Sequence, residues 1–323
     1  MKEGFFPNSN KIVKFDESEN YWIFKTGSKI YKVKKREEVR SSVSLEEIFC
    51  NEISFQIQQH SPQLEACVLT IKKDNDQFVI DWNNELPSKA LYYCISMNQL
   101  SDRGFLSNLV SKNKLTEASL KKVTKHLLDY HDKAKVSQSK EDGTPESLQY
   151  RLQDLYYQSK KYLGITITKA MIDMTLRPIE RYLTENRKLF LRRIKQNRIR
   201  MIHGCYIPRK IHITKEGVSA LGRTSDPLKN RYSDVAADIS DLVTELQLSD
   251  MNDKAAYFIE TYRDLSEDSE INDVLPIYQA LRCLYLGLKY SIQTKELLEQ
   301  EKENAVCMAK KYYEHTIDVV RGL

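Results

Sequence analysis

The chain has no run of about 18 apolar residues, the length a membrane-spanning helix requires. Its start, MKEGFFPNSNKIVKFDESEN, has no apolar core of the kind a secretory leader carries. A cytoplasmic protein with no membrane partner is the expectation. The six cysteines, at 50, 67, 94, 205, 283 and 307, never form a CxxC pair. Neither a zinc site nor a disulfide framework is indicated, and buried free thiols are expected. Glycine and proline are scarce, 10 and 8 among 323 residues, which excludes collagen-like and low-complexity chains. A strong charge of one sign is missing as well. The 50 Lys+Arg against 45 Asp+Glu leave +5, too little to make nucleic acid or an anionic membrane the default partner. What is present, 41% hydrophobic and 29% charged residues, is the composition of a packed protein. The length suits two domains of roughly 150 residues or one bilobal unit.

The first hundred residues set short apolar and aromatic runs (YWIFKTG, KIYKVKK, EACVLTI, QFVIDW, LYYCISM) between turn-forming Gly, Ser, Asp and Asn, and read as strands. One helix is expected among them. It starts at Ser44, where Ser44 and Glu47 have capping-box spacing, runs through Ile48, Phe49, Ile53 and Ile57 to about Gln59, and stops at Pro62. Beyond Met97 helical periodicity dominates, at about 102–111, 116–136, 147–163 and 168–197, then at 232–247, 252–264 and 272–321. Between Arg198 and Gly222 the runs IRMIHG, RKIHI and VSAL read as short strands around loops. The expected organisation is a β-rich domain at 1–97, a linker near 97–101, and a helical domain at 98–323 with a small embedded β element. A cleft between them is the default ligand site.

YWIFKTGSKIYKVKKR reads as two adjacent strands joined at TGS, with Ile30, Lys32 and Lys34 on one face. A carboxylate on the following helix would hold one of these lysines by ion pairing, and Glu52, flanked by Ile48 and Ile53, is the best placed. Lys32 with Glu52 is the candidate phosphate contact, with Lys34 as the alternative. A lysine-rich strand also guards a sheet edge against pairing. His126 and His131, five apart on one helix, miss the i, i+4 spacing of a metal pair and are read as packing or capping residues. Cys205 and His203 would make a nucleophile and base only if they met, and His203 reads more simply as a loop brace. The stretch from Asn186 to Arg200 holds seven Lys/Arg among fifteen residues. It reads first as an amphipathic helix with a charged outer face, and second as a basic strip for an acidic partner or nucleic acid.

The segment MIHGCYIPRKI, Met201 to Ile211, followed by GVSALGRTSDPLKNRYSDVAADISDLVTEL, resembles the aminoglycoside phosphotransferase-like branch of the protein-kinase fold. Bacterial members of that branch carry a loop reading roughly HGDLHxRNI. YKVKK is similar to the family's phosphate-lysine strand, CNEISF to its helix glutamate, and LYYCISMNQL to the strand entering the hinge. KHLLDYHDKA is similar to the L-x-x-F-H-x-x-A helix and YQALRCLYLGLKY to a late helix, all in the family's order. The resemblance implies an α+β, bilobal protein-kinase-like fold, with a small β-rich N-terminal lobe and a larger, mainly helical C-terminal lobe.

It also implies a loss of chemistry. In active members an Asp in the loop accepts the substrate's proton, an Asn near the loop's end binds metal, and an Asp on the next strand holds magnesium. These positions fall on Cys205, Lys210 and Gly222, and a second acidic position falls on Ser225, one residue before Asp226. His203-Gly204 remains at the loop's start, and Asp234 and Asp238 match a D-x-A-x-D helix start that braces the loop. The implied protein is a pseudokinase that binds a protein or small molecule, with ATP as a candidate ligand of Lys32 and Glu52 and without magnesium. The alternatives are a phosphotransferase or nucleotidyl-type transferase using Asp226, Asp234 or Asp238 as metal ligands, and a scaffold acting through the helical lobe or the 187–200 strip.

Overall fold

The computed structural model describes residues 6, 14–17, 21–35, 43–61, 64–75, 77–81, 90–215, 217–221, 232–295, 297 and 299–323. The chain divides into two compact units, Met1–Leu109 with Arg209–Pro227, and Val110–Pro208 with Leu228–Leu323. The boundary expected at residue 97 lies within the first unit, which also takes in the later segment.

The first unit opens with strands β1 (Lys14–Glu17), β2 (Tyr21–Lys25) and β3 (Lys29–Lys34). The β2–β3 turn closes through Thr26, whose N–H donates to the Lys29 carbonyl at 3.0 Å, and through Gly27 at a φ of 89° that favours glycine. Helix α1 (Val43–His60) follows, then β4 (Cys67–Asp74), β5 (Gln77–Asp81), β6 (Tyr92–Asn98) and the short α2 (Leu106–Ser111). The strands form one antiparallel sheet in the order β1-β2-β3-β6-β4-β5.

Alternation along the strands gives the sheet two buried faces. Tyr31 and Val33 of β3 pack with Phe6, Phe24, Leu69, Ile71 and Cys94. The opposite face packs Tyr93, Ile95 and Met97 of β6 against Cys50 and Ile57 of α1, with Ile30 at its margin. Lys32 pairs across the sheet with Ile95, so it stands on the face that α1 covers.

In the second unit α3 (Glu117–Lys133), α4 (Pro145–Ser159), α5 (Lys169–Glu185) and α6 (Arg187–Lys195) lead to β7 (Ile199–Met201). Thr116, Thr144 and Thr168 cap α3, α4 and α5, each accepting a backbone N–H three residues on, at 3.2 Å. The chain then contributes β8 (Ile211–Ile213) and β9 (Val218–Ala220), an antiparallel pair, to the first unit. It returns to the second unit with β10 (Tyr232–Asp234), α7 (Ala236–Gln247), α8 (Asn252–Ser266), α9 (Ile271–Gln293) and α10 (Glu299–Val320). β10 pairs antiparallel with β7, placing Asp234 opposite Ile199. α7 and α9 are buried nearly all round, as the central helices of a helical core are.

Several expected elements are divided in the structure. The periodicity across 168–197 belongs to two helices parted at Asn186, whose ψ of 22° leaves the helical range. The long run at 272–321 is a packed pair, α9 and α10, with Thr294 ending the first as its hydroxyl donates to the Ser291 carbonyl at 2.7 Å. Residues 232–234 are a strand, not the first turn of a helix, because they complete the ladder with β7. Ser44 lies one residue inside α1, and Pro62 is outside the described residues. Among the described residues no helix is long and apolar enough to cross a membrane.

Candidate functional site

In the second unit the loop from His203 to Tyr206 is held by its backbone. Two α7 carboxylates a turn apart, Asp238 and Asp241, take its N–H groups. His203 and Gly204 donate to Asp238 at 2.7 and 2.6 Å, and Tyr206 donates to Asp241 at 2.9 Å. Gly204 has a φ of 73°, a left-handed conformation suited to glycine, which brings two successive N–H groups onto one carboxylate. His131 of α3 donates through Nε2 to Asp238 at 3.1 Å, and its Nδ1 lies 2.8 Å from the Tyr262 hydroxyl. Burial by itself would raise the Asp238 pKa, but His131 and the His203 N–H hold it below the ordinary carboxylate value.

His203 is buried edge-on between the rings of Tyr130 and Tyr206, at 5.9 and 5.6 Å. Tyr206 donates its hydroxyl to the Val123 carbonyl at 3.0 Å, and His126 Nδ1 lies 3.1 Å from the same oxygen. The two α3 histidines are therefore hydrogen-bonded parts of the loop's support. Cys205, between the residues so held, is partly exposed.

Among the described residues Asp234 makes its side-chain hydrogen bonds away from the loop. Both its oxygens face Arg193, at 2.7 Å each, and one also caps α7 by accepting the Ala236 N–H at 2.9 Å. Arg193 is fully buried and gives its remaining nitrogen, Nη1, to both oxygens of Asp268 at 2.6 and 2.7 Å. This triad ties α6 to β10, the strand paired with the one that leads into the loop.

In the first unit Lys32 has no carboxylate partner among the described residues. Burial, aided by the charges of Lys210 and Lys25, pushes its pKa down to about 8. Lys34 lies with its Nζ 5.7 Å from the centre of the Tyr21 ring. Glu52 is on α1, but its side chain is outside the described residues, as are Gly222, Ser225 and Asp226 altogether. The Lys210 carbonyl accepts the Leu221 N–H at 2.7 Å, closing the β8–β9 pair.

No family model matches the chain, and no curated protein sequence matches it. Solved structures do. Choline kinase from Cryptosporidium parvum superposes with a TM-score of 0.58 at 10% identity, over 97% of this chain and 89% of that one. A microcompartment-associated aminopropanol kinase gives 0.56 at 13% identity over 96% and 92%. The GDP complex of aminoglycoside 2'-phosphotransferase-IIIa gives 0.53 at 10% over 94% of each chain. The fold is kinase-like.

A magnesium ion needs oxygen ligands. Asp234 and Asp238 are fully buried, with their oxygens already taken by Arg193, His131 and backbone N–H groups. Among the described residues no three His, Cys, Asp or Glu side chains group to hold a metal.

The 187–200 strip is largely consumed inside the second unit. Arg187 pairs with Glu146, Arg192 with Glu270 at 2.5 Å, Arg193 with Asp234 and Asp268, and Arg198 lies 3.6 Å from Asp268. Arg200 donates to the carbonyls of His131, Asp132 and Ala134 at 2.9 to 3.2 Å. Sequence reasoning passed over Asp241, Arg193 and Asp268. A signal existed for two of them. Asp241 follows Asp238 by one turn, among the apolar Ile239, Leu242 and Val243, and Arg193 sits four residues after Leu189 and three after Phe190, on the helix's apolar stripe.

Proposed function

We propose that this protein is a pseudokinase of the aminoglycoside phosphotransferase type, a kinase-like fold that binds a ligand without transferring phosphate. The observation that carries this reading is the state of the loop. Its backbone is held at three points, yet at the positions the resemblance assigns to the base and to a metal ligand stand the Cys205 thiol and the Lys210 ammonium. Loss of a general base costs about 10²–10⁴ in rate. The missing metal removes the charge stabilisation on which phosphoryl transfer depends. The scaffold is kept and the chemistry is not.

Lys32 is the proposed contact for nucleotide phosphate, because its ammonium is partly buried and has no carboxylate partner among the described residues. The neighbours' names attach a phosphotransferase activity to choline, aminopropanol and aminoglycosides. The same activity here would draw its metal ligands from Asp226, Asp234 or Asp238, and the last two are held in structural bonds. A thermal-shift titration with ATP tests the reading. The expected result is a modest shift that magnesium does not enlarge and that Lys32→Met removes, with no ATP turnover. A magnesium-dependent shift accompanied by turnover overturns it.

A further inference from the structure

At the C-terminal end of α7 the second unit holds a cavity of about 470 Å³, walled by residues of α7, α8, α9 and α10. Small-molecule sites have volumes of this order. α7 carries Asp238 and Asp241 in its first half and Gln247 as its last residue, so Gln247 stands about 14 Å along the helix from Asp238. The cavity is therefore separate from the support of the His203–Tyr206 loop.

Two amides stand in its wall as a pair. Gln279 of α9 is only 6% exposed, and its Nε2 donates to Oε1 of Gln247 at 2.9 Å. His315 of α10 donates through Nε2 to the same oxygen at 3.2 Å. With that oxygen doubly engaged, the Gln247 Nε2 donor and the Gln279 Oε1 acceptor make no hydrogen bond among the described residues. A buried amide left half-satisfied is costly, and this one lines a space that a ligand can fill. Asn252, also in the wall, is the first residue of α8, whose N-terminus no side chain caps.

The wall is nearly free of charge. Burial keeps the His315 pKa below its usual value, so the ring is neutral at pH 7. Asp318, the one charged residue of the lining, lies 3.1 Å from Arg321. Pro276 and Val319 supply apolar surface beside the amides. A free donor and a free acceptor between apolar walls suit a ligand that both accepts and donates hydrogen bonds, and nothing in the lining would neutralise a phosphate.

We propose that this cavity binds an uncharged small molecule bearing hydroxyl or amide groups, between a monosaccharide and a nucleoside in size, through the free amide atoms of Gln247 and Gln279. The site goes beyond the reading above, since it uses neither Lys32 nor the loop at Cys205.

The test is calorimetric titration of the full chain with glucose and adenosine, and with their charged counterparts glucose 6-phosphate and adenosine monophosphate. The same titrations on Lys32→Met remove the phosphate contact proposed above. One of the two neutral probes should bind equally well to wild type and Lys32→Met, and Gln279→Leu should weaken it by on the order of tenfold, the worth of a hydrogen bond. Val319→Trp, at the half-buried margin, should block binding without touching the amide pair. Binding of glucose assigns a hydroxyl-bearing ligand, and binding of adenosine a base with an amide-like edge. Binding of neither, tighter binding of the charged counterparts by Lys32→Met, or affinity that both Gln279→Leu and Val319→Trp leave unchanged overturns the proposal and leaves the ATP result standing. Magnesium-dependent ATP turnover would instead remove the non-catalytic reading and leave this site.

Discussion

Arg193 shows what a single buried charge does in this protein. Its Nε and Nη2 neutralise Asp234 and its Nη1 neutralises Asp268, so removing it strands two carboxylates out of water. Arg193→Met should destabilise the second unit by about 3–5 kcal/mol in urea unfolding. Arg193→Lys should lose most of the same stability, because an ammonium cannot serve two carboxylates in fixed bidentate geometry. Lys32 behaves in the opposite sense. Its pKa of about 8 in the fold lies below that of a free lysine, so between about pH 8 and 10.5 the unfolded chain binds more protons and stability rises with pH. Below pH 8 the cost of burying the cation is fully present. Lys32→Met should therefore stabilise the protein by about 1–3 kcal/mol at pH 7, and the gain should shrink as pH rises towards 10. Equal gains at pH 7 and pH 10 would contradict this.

At the scale of elements, ends and close approaches matter more than propensity. Thr168 caps α5 through its hydroxyl, and Thr168→Ala should cost about 1 kcal/mol, measurable as a lowered midpoint of thermal unfolding. Gly104 ends the short turn after β6 because His212 of β8 occupies the space a β-carbon would need, with Nε2 only 2.3 Å from that point. His212 Nε2 lies 2.9 Å from the Ser101 carbonyl, and its ring meets Phe105 edge-on at 4.9 Å. Gly104→Ala should push the ring off both partners and cost about 1–3 kcal/mol, whereas Gly217→Ala, with open space around it, should cost far less. The strands from Tyr21 to Asn98 were legible as period-two runs between turn residues. The division of 168–197 and of 272–321 was not, because a pair of packed helices keeps one apolar stripe across the bend between them.

For the molecule as a whole, a kinase-like fold does not by itself carry kinase chemistry. The fold spans nearly the whole chain at 10 to 13% identity to the solved structures, which fixes architecture and leaves activity to individual residues. Restoring one group should therefore not restore the reaction. Cys205→Asp is expected to leave ATP turnover with magnesium at background in an ADP-release assay. It places a carboxylate at position 205 while Lys210 and the spent Asp234 and Asp238 remain as they are. Turnover above background in that variant would mean that the base alone is missing.

The amino-acid sequence by itself determined the sheet's alternation, the helical content, the order of kinase-like segments, and the thiol and ammonium at Cys205 and Lys210. These are local facts, carried by neighbours two to four residues apart. Only the tertiary structure decided which charges are spent and which are spare. Arg193 meets Asp234 and Asp268 across 41 and 75 residues, and His131 meets Asp238 across 107. No local pattern encodes those distances, because burial sets the partners of a charge by closing the chain on itself.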